Sequence, residues 1–286
     1  MVFKKINSNI PKTYRKINRG FIRIFFGKIF YKCKRYFVWL LESKNYAKDL
    51  VSKSICEEKF PIVIFEHSSP IYRKLKNVPQ YLQENKKINL ELAILNLDGL
   101  VINPNQVFSF WYSVGKPKKS KGYLPGMQLQ NGSFIESTGG GLCQMANLIY
   151  WMTLHSPLEV KERWRHSFDI FPDSERTLPF GSGATISYNY IDLQIKNTTK
   201  NSFCLHIWID NDQLKGEWRS DIEIPYEYQV YESEHGFYSE PWGGYTRRNK
   251  IRRKTTSKLT GQLIEDRLIT ENMAWMMYEP LLESKV

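Results

Sequence analysis

Residues 136–167 read ESTGGGLCQMANLIYWMTLHSPLEVKERWRHS, and the rest of the chain is organised around them. Gly139, Gly140 and Gly141 end two residues ahead of Cys143, and Met145, Leu148, Ile149 and Met152 then recur at helical spacing. The spacing puts Cys143 in the first turn of a helix. Free backbone N–H groups and the positive end of the helix dipole at such a start favour a thiolate over a thiol. Glycine there allows positive φ and close approach of a ligand.

His155-Ser156-Pro157 reads as the stop of that helix, because a proline disfavours the α conformation in the residue before it. Leu158 to Phe168 alternates loosely and reads as a strand carrying His166, twenty-three residues beyond the cysteine. A cysteine at a helix start with a histidine on a following strand is an arrangement used for nucleophilic acyl transfer. Asp169, Asp173 and Asp192 are the carboxylates available to orient the imidazole, and Asp192 lies in the strand-like run ISYNYIDLQIKN. Gln144 is a candidate oxyanion donor beside the backbone N–H groups of the helix start. Gly139, Gly140, Gly141, His67 and Arg176 complete the candidate binding set, Arg176 as a bidentate partner for a carboxylate or phosphate. The competing reading makes Cys143 a small buried hydrophobe.

Three stretches, GGGLCQMANLIYWMTLHSPLEVKERWRHSFDIFP, NPNQVFSFWYSVGKP and LPFGSGATISYNYIDLQIKN, resemble the VanW family, associated with glycopeptide-resistance gene clusters. The resemblance runs from about Glu66-His67-Ser68-Ser69-Pro70 to near the C-terminus. It implies a part in vancomycin resistance or cell-wall metabolism, with a peptide or peptidoglycan precursor as substrate or ligand. The chain departs from the family pattern twice. Pro104-Asn105-Gln106 stands where relatives tend to carry an acid, and Trp164-Arg165 where they often carry extra histidines, which disfavours a metal site. Three roles follow as alternatives: a Cys–His hydrolase or acyltransferase, a non-catalytic module that binds a precursor, or a scaffolding partner. None implies a cofactor, and the oligomeric state is left open.

The 286 residues carry a formal charge of +12, distributed unevenly. Residues 1–50 hold thirteen Lys/Arg against Glu42 and Asp49, which leaves the remainder close to neutral. That disfavours a nucleic-acid enzyme with a basic cleft and favours a basic appendage that meets an anionic surface. Phe21 to Leu41 interleaves aromatics with Arg23, Lys28, Lys32, Lys34 and Arg35, too many charges for a membrane span. It reads as an amphipathic helix with Ile22, Phe26, Ile29, Phe30, Phe37 and Leu40 on one face. Lying on anionic lipid and docking on the main domain are the two readings. With no apolar core or cleavage site of a signal peptide, the expected location is cytoplasmic, peripheral at the inner membrane face. Cys33, Cys56, Cys143 and Cys204 show no CxxC spacing, so reduced thiols are expected.

The fold class expected is α+β, mainly antiparallel, with a basic helical segment over residues 1–55 and a main domain over 56–286. Helices are expected at Asn45–Ser54 and Leu90–Leu97. Strands are expected at Phe60–Phe65, ahead of a loop holding His67, and at Leu100–Ile102 and Val107–Val114. A hairpin of Gln128–Asn131 with Ser133–Glu136, turning at Asn131-Gly132, leads into the glycine run, and Thr185–Lys196 pairs with Phe203–Asp210. Further strands are read at Gly216–Ile224, Tyr226–Glu232 and Phe237–Tyr238, with a basic cluster at Arg247–Lys254 and a closing hairpin of Leu259–Asp266 with Ala274–Tyr278.

Overall fold

The structure is a computed structural model, and it describes residues 21–72, 78–130, 133–170, 177–241 and 243–278. The elements run α1 (Phe21–Leu41), α2 (Lys53–Lys59), β1 (Ile62–Pro70), α3 (Gln80–Ile94), β2 (Leu100–Ile102), β3 (Val107–Ser109) and α4 (Phe110–Val114). After a short 3₁₀ turn come β4 (Pro125–Gln130), β5 (Ser133–Thr138), α5 (Cys143–Leu154), β6 (Glu159–Glu162), β7 (Phe168–Asp169) and β8 (Gln194–Lys196). The chain continues through β9 (Phe203–Asp210), β10 (Gln213–Ser220), β11 (Tyr226–Ser239), β12 (Tyr245–Ser257) and β13 (Leu263–Met276). The fold is α+β, and nearly every strand pair is antiparallel.

Two four-stranded sheets dominate, in the orders β1-β10-β9-β2 and β11-β12-β13-β7, beside the small sheet β3-β8-β6 and the β4-β5 hairpin. In the first sheet β9 is central, and Phe203, Cys204, Leu205, His206 and Ile207 are all buried. α5 lies on this sheet. Its sequence is apolar on all sides, as expected for a helix enclosed in a core, and nine of its residues are buried. Gly216 of β10 lets it approach, because a Cβ there would press on Leu148 and Met152. The buried Trp218 indole donates to Thr153 Oγ1 at 3.2 Å, tying β10 to α5. Ser156 closes the helix by donating to the Thr153 carbonyl, ahead of Pro157.

The N-terminal helix forms as expected over Phe21–Leu41, and the hairpin before the glycine run is β4-β5; its turn at Asn131-Gly132 lies outside the described residues. Several other expectations are corrected. Asn45–Ser54 is extended, because its backbone pairs across the chain: Ala47 N–H donates to Val107 O at 3.0 Å and Val51 N–H to Gly99 O at 3.0 Å. The helix there begins only at Lys53, capped by Ser52. The helix read at Leu90–Leu97 runs instead over Gln80–Ile94, its first half disguised by polar residues. β1 continues through His67 to Pro70, so His67 sits in a strand. Val107–Val114 breaks at Ser109, whose hydroxyl accepts from Tyr112 N–H and starts α4.

The strand read from Leu158 to Phe168 is interrupted, and His166 lies between β6 and β7. Of Thr185–Lys196 only β8 is a strand, and it pairs with β3 and β6 while β9 pairs with β2 and β10. The C-terminal pieces merge into three long strands, with Leu263–Met276 continuous. Finally, Cys56 and Cys204 form a disulfide across 148 residues, Cα to Cα 6.4 Å, where reduced thiols were expected. α2 and β9 bring the pair together inside a small buried cluster with Phe60 and Val101, a proximity that local spacing does not reveal.

Candidate binding pocket around the glycine run and Cys143

The glycine run is held from behind by α3. Asn89 is fully buried and its amide donates to Gly140 O and to Leu124 O, each at 3.0 Å, while its carbonyl accepts from Leu124 N–H at 2.9 Å. Gly140 lies directly on Gly126, and a Cβ on either would enter the other's backbone. Gly141 adopts φ +94°, a left-handed conformation that glycine takes without strain. The chain therefore turns from β5 into α5 along a path that side chains would block.

The turn leaves donors free. Gln144, Met145 and Ala146 N–H groups bond back to Gly141 and Leu142 carbonyls, but among the described residues the N–H groups of Gly141, Leu142 and Cys143 meet no backbone acceptor. These residues line a half-open cavity of about 520 Å³. Its other walls include Trp111, Met127, Ile186 and Tyr188, and four lysines: Lys32, Lys116, Lys118 and Lys119. No acidic side chain lines it, and none of the four lysines makes an ion pair among the described residues. A concave surface with apolar walls and a few convergent cationic groups is the usual form of a site for a small anion-bearing ligand.

The Cys143 thiol is mostly enclosed, and it donates to Ile186 O at 3.8 Å. Burial pushes its pKa up, so the thiol form prevails at neutral pH despite the helix start. His166 does not line the cavity and makes no hydrogen bond to Cys143; burial, reinforced by Arg165, lowers its pKa. Gln144 is committed elsewhere: its amide donates to Ser69 Oγ and to Pro70 O, each at 2.9 Å, fixing α5 to the end of β1. His67 packs against Trp151 of α5, ring centres 6.4 Å apart, and burial lowers its pKa. Asp169 is buried within 3.5 Å of Arg247 and accepts from the Tyr278 hydroxyl at 2.9 Å. Arg176 and Asp173 lie outside the described residues.

Asp192 is fully buried and accepts from Ser109 Oγ (2.6 Å), Trp111 N–H (3.1 Å), Leu193 N–H (3.0 Å) and Gln194 Nε2 (3.2 Å). Burial raises its pKa to about 6. Its partners make it the anchor of Trp111, whose indole also donates to Ile191 O at 2.9 Å and whose ring meets Tyr188 edge-on. The structure thus brings together the three glycines and Cys143, sets Asp192 behind the Trp111 wall, and leaves His166, Gln144 and His67 off the cavity.

Sequence reasoning missed Asn89 and the lysines. Asn89 carried a signal, since it falls on the inward stripe of α3 with Leu82, Leu90 and Ala93, where an unpaired amide is costly. The lysines of 116–119 carried none beyond belonging to a basic loop. No solved structure shows a significant match to this chain. A stretch of 114 residues is 27% identical to the uncharacterized protein YoaR of Bacillus subtilis, covering 40% of this chain and 36% of that one. Over 233 residues the chain is 32% identical to the vancomycin B-type resistance protein VanW of Enterococcus faecalis, covering 82% of this chain and 84% of that protein. The family model described as VanW like protein matches residues 85–219, the span that holds Asn89, the glycine run, Cys143 and Asp192. With that breadth of likeness centred on the pocket and its supports, the chain belongs to the VanW-like family.

Proposed function

We propose that the pocket binds the carboxylate or phosphate of a cell-wall peptide or peptidoglycan precursor, and that the chain acts in glycopeptide resistance as a binding module. The carrying observation is the set of four lysines that make no ion pair among the described residues, around a cavity whose described lining holds no acid, beside a helix start where the Gly141, Leu142 and Cys143 N–H groups meet no backbone acceptor. The Enterococcus relative's role in vancomycin resistance supplies the biological setting. Cys143 contributes packing and shape in this reading. Its buried thiol faces a carbonyl rather than an imidazole, which speaks against a Cys–His nucleophile.

The test is calorimetric titration of the full chain with a soluble, carboxylate-terminated cell-wall peptide and with its uridine-diphosphate-linked form. Binding is expected, and Lys116→Glu with Lys118→Glu is expected to weaken it at least tenfold with the melting temperature unchanged, both side chains being exposed. Equal affinity of that double variant and the parent sequence would remove the pocket from the account.

A further inference from the structure

α1 touches the rest of the chain along one face. Arg35 pairs with Glu162 at 2.6 Å, the Tyr36 hydroxyl bonds that of Tyr188 at 2.9 Å, and Trp39 is buried edge-on against Tyr112. At about 100° per residue, Phe26, Phe30, Phe37 and Leu40 fall on one stripe, its centre roughly 140° around the helix from that of the docked face. They are 63%, 63%, 61% and 74% exposed. So large an apolar stripe left in water marks a surface that something covers.

The charge around it identifies the cover. Residues 1–41 contain eleven Lys/Arg and no Asp or Glu, and Arg23 and Lys34 of α1 are exposed beside the stripe. Protein interfaces deplete lysine at their apolar centres, whereas aromatic and aliphatic side chains flanked by Lys/Arg are the signature of a helix lying in the headgroup region of an anionic bilayer. We infer that α1 lies flat on an anionic membrane surface, with Phe26, Phe30, Phe37 and Leu40 inserted among the acyl chains and Arg23 and Lys34 on the lipid phosphates. Among the described residues no helix is long and apolar enough to cross a membrane, so the contact is interfacial. The docked face stays on the protein. Because Lys32 of the same helix walls the pocket, the contact brings the pocket to within about one helix diameter of the membrane surface, a consequence that rests on the pocket reading while the helix contact does not.

The experiment is co-sedimentation of the full chain with vesicles of phosphatidylcholine alone and of phosphatidylcholine with one third phosphatidylglycerol, at low and high salt. Binding is expected to be at least tenfold stronger on the anionic vesicles and to weaken with salt. The triple variant Phe26→Glu, Phe30→Glu, Phe37→Glu is expected to lose that binding at least tenfold with an unchanged melting temperature, while Lys116→Glu/Lys118→Glu stays within about threefold. Cys33, exposed on the same helix, takes an environment-sensitive fluorophore whose emission is expected to shift blue on anionic vesicles. A triple variant that binds like the parent overturns the proposal. So does vesicle-free self-association that the triple variant abolishes while the parent ignores lipid, because the stripe is then a contact between copies of this chain.

Discussion

The Asn89 side chain reaches from the middle of α3 to the carbonyl of Gly140, 3.0 Å away, and holds the second glycine of the run against Gly126. A fully buried amide with both ends satisfied is a rigid support. Asn89→Ala orphans the Leu124 N–H and the Gly140 carbonyl, while Leu124 O keeps the Gly139 N–H, and is expected to cost about 1–3 kcal/mol in urea unfolding. Amide exchange at Gly139 and Gly140, which donate to Leu124 O and Ser137 O, should accelerate with it. Protection unchanged at those amides would assign the glycine path to the hairpin alone.

Gly140→Ala tests the close approach itself. The added methyl meets the Gly126 backbone, which has no flexible end to move aside, so the β4-β5 hairpin and α5 must separate. A loss of stability well above the cost of the same change on an open surface is expected, read as the shift in urea midpoint at constant slope.

The α5 helix and the glycine turn were legible in the sequence because both rest on local rules: apolar spacing for the helix, backbone freedom for the turn. The β4-β5 hairpin was legible for the same reason. The failures share one cause, pairing between distant segments. Asn45–Ser54 has helical composition yet lends its backbone to Val107 and Gly99, and Leu158–Phe168 alternates like one strand yet breaks into β6, which pairs with β8, and β7, which pairs with β13. Cys56 and Cys204 are the extreme case.

That disulfide closes a long loop between α2 and the central strand β9. Its loss through Cys56→Ala or reduction is expected to cost about 2–5 kcal/mol. Non-reducing peptide mapping of protein from its native host checks whether the bond is present there. An oxidised pair places the main domain in an oxidising compartment, while free thiols match the cytosolic expectation.

Asp192 and His155 give the stability profile two opposing slopes. Burial raises the Asp192 pKa from 3.8 to about 6, so its contribution to stability is full below about pH 4 and is lost as pH rises through 6, about 3 kcal/mol in all. Burial lowers the His155 pKa to about 4, so stability present above pH 6.5 is lost as pH falls through 4. A carbon-13 titration of the Asp192 carboxyl with its midpoint near 6 is the expected result, and a midpoint below 4 would mean that its four donors outweigh burial.

The most direct measurement is the pH dependence of Cys143 alkylation by a small haloacetamide in the native protein, followed residue by residue by mass spectrometry with exposed Cys33 as reference. A neutral, enclosed thiol bonded to Ile186 predicts Cys143 at least tenfold slower than Cys33, with an apparent pKa above the ordinary thiol range. Rapid alkylation with a depressed pKa, abolished by His166→Ala, would contradict the binding-module account and restore Cys143 as a nucleophile.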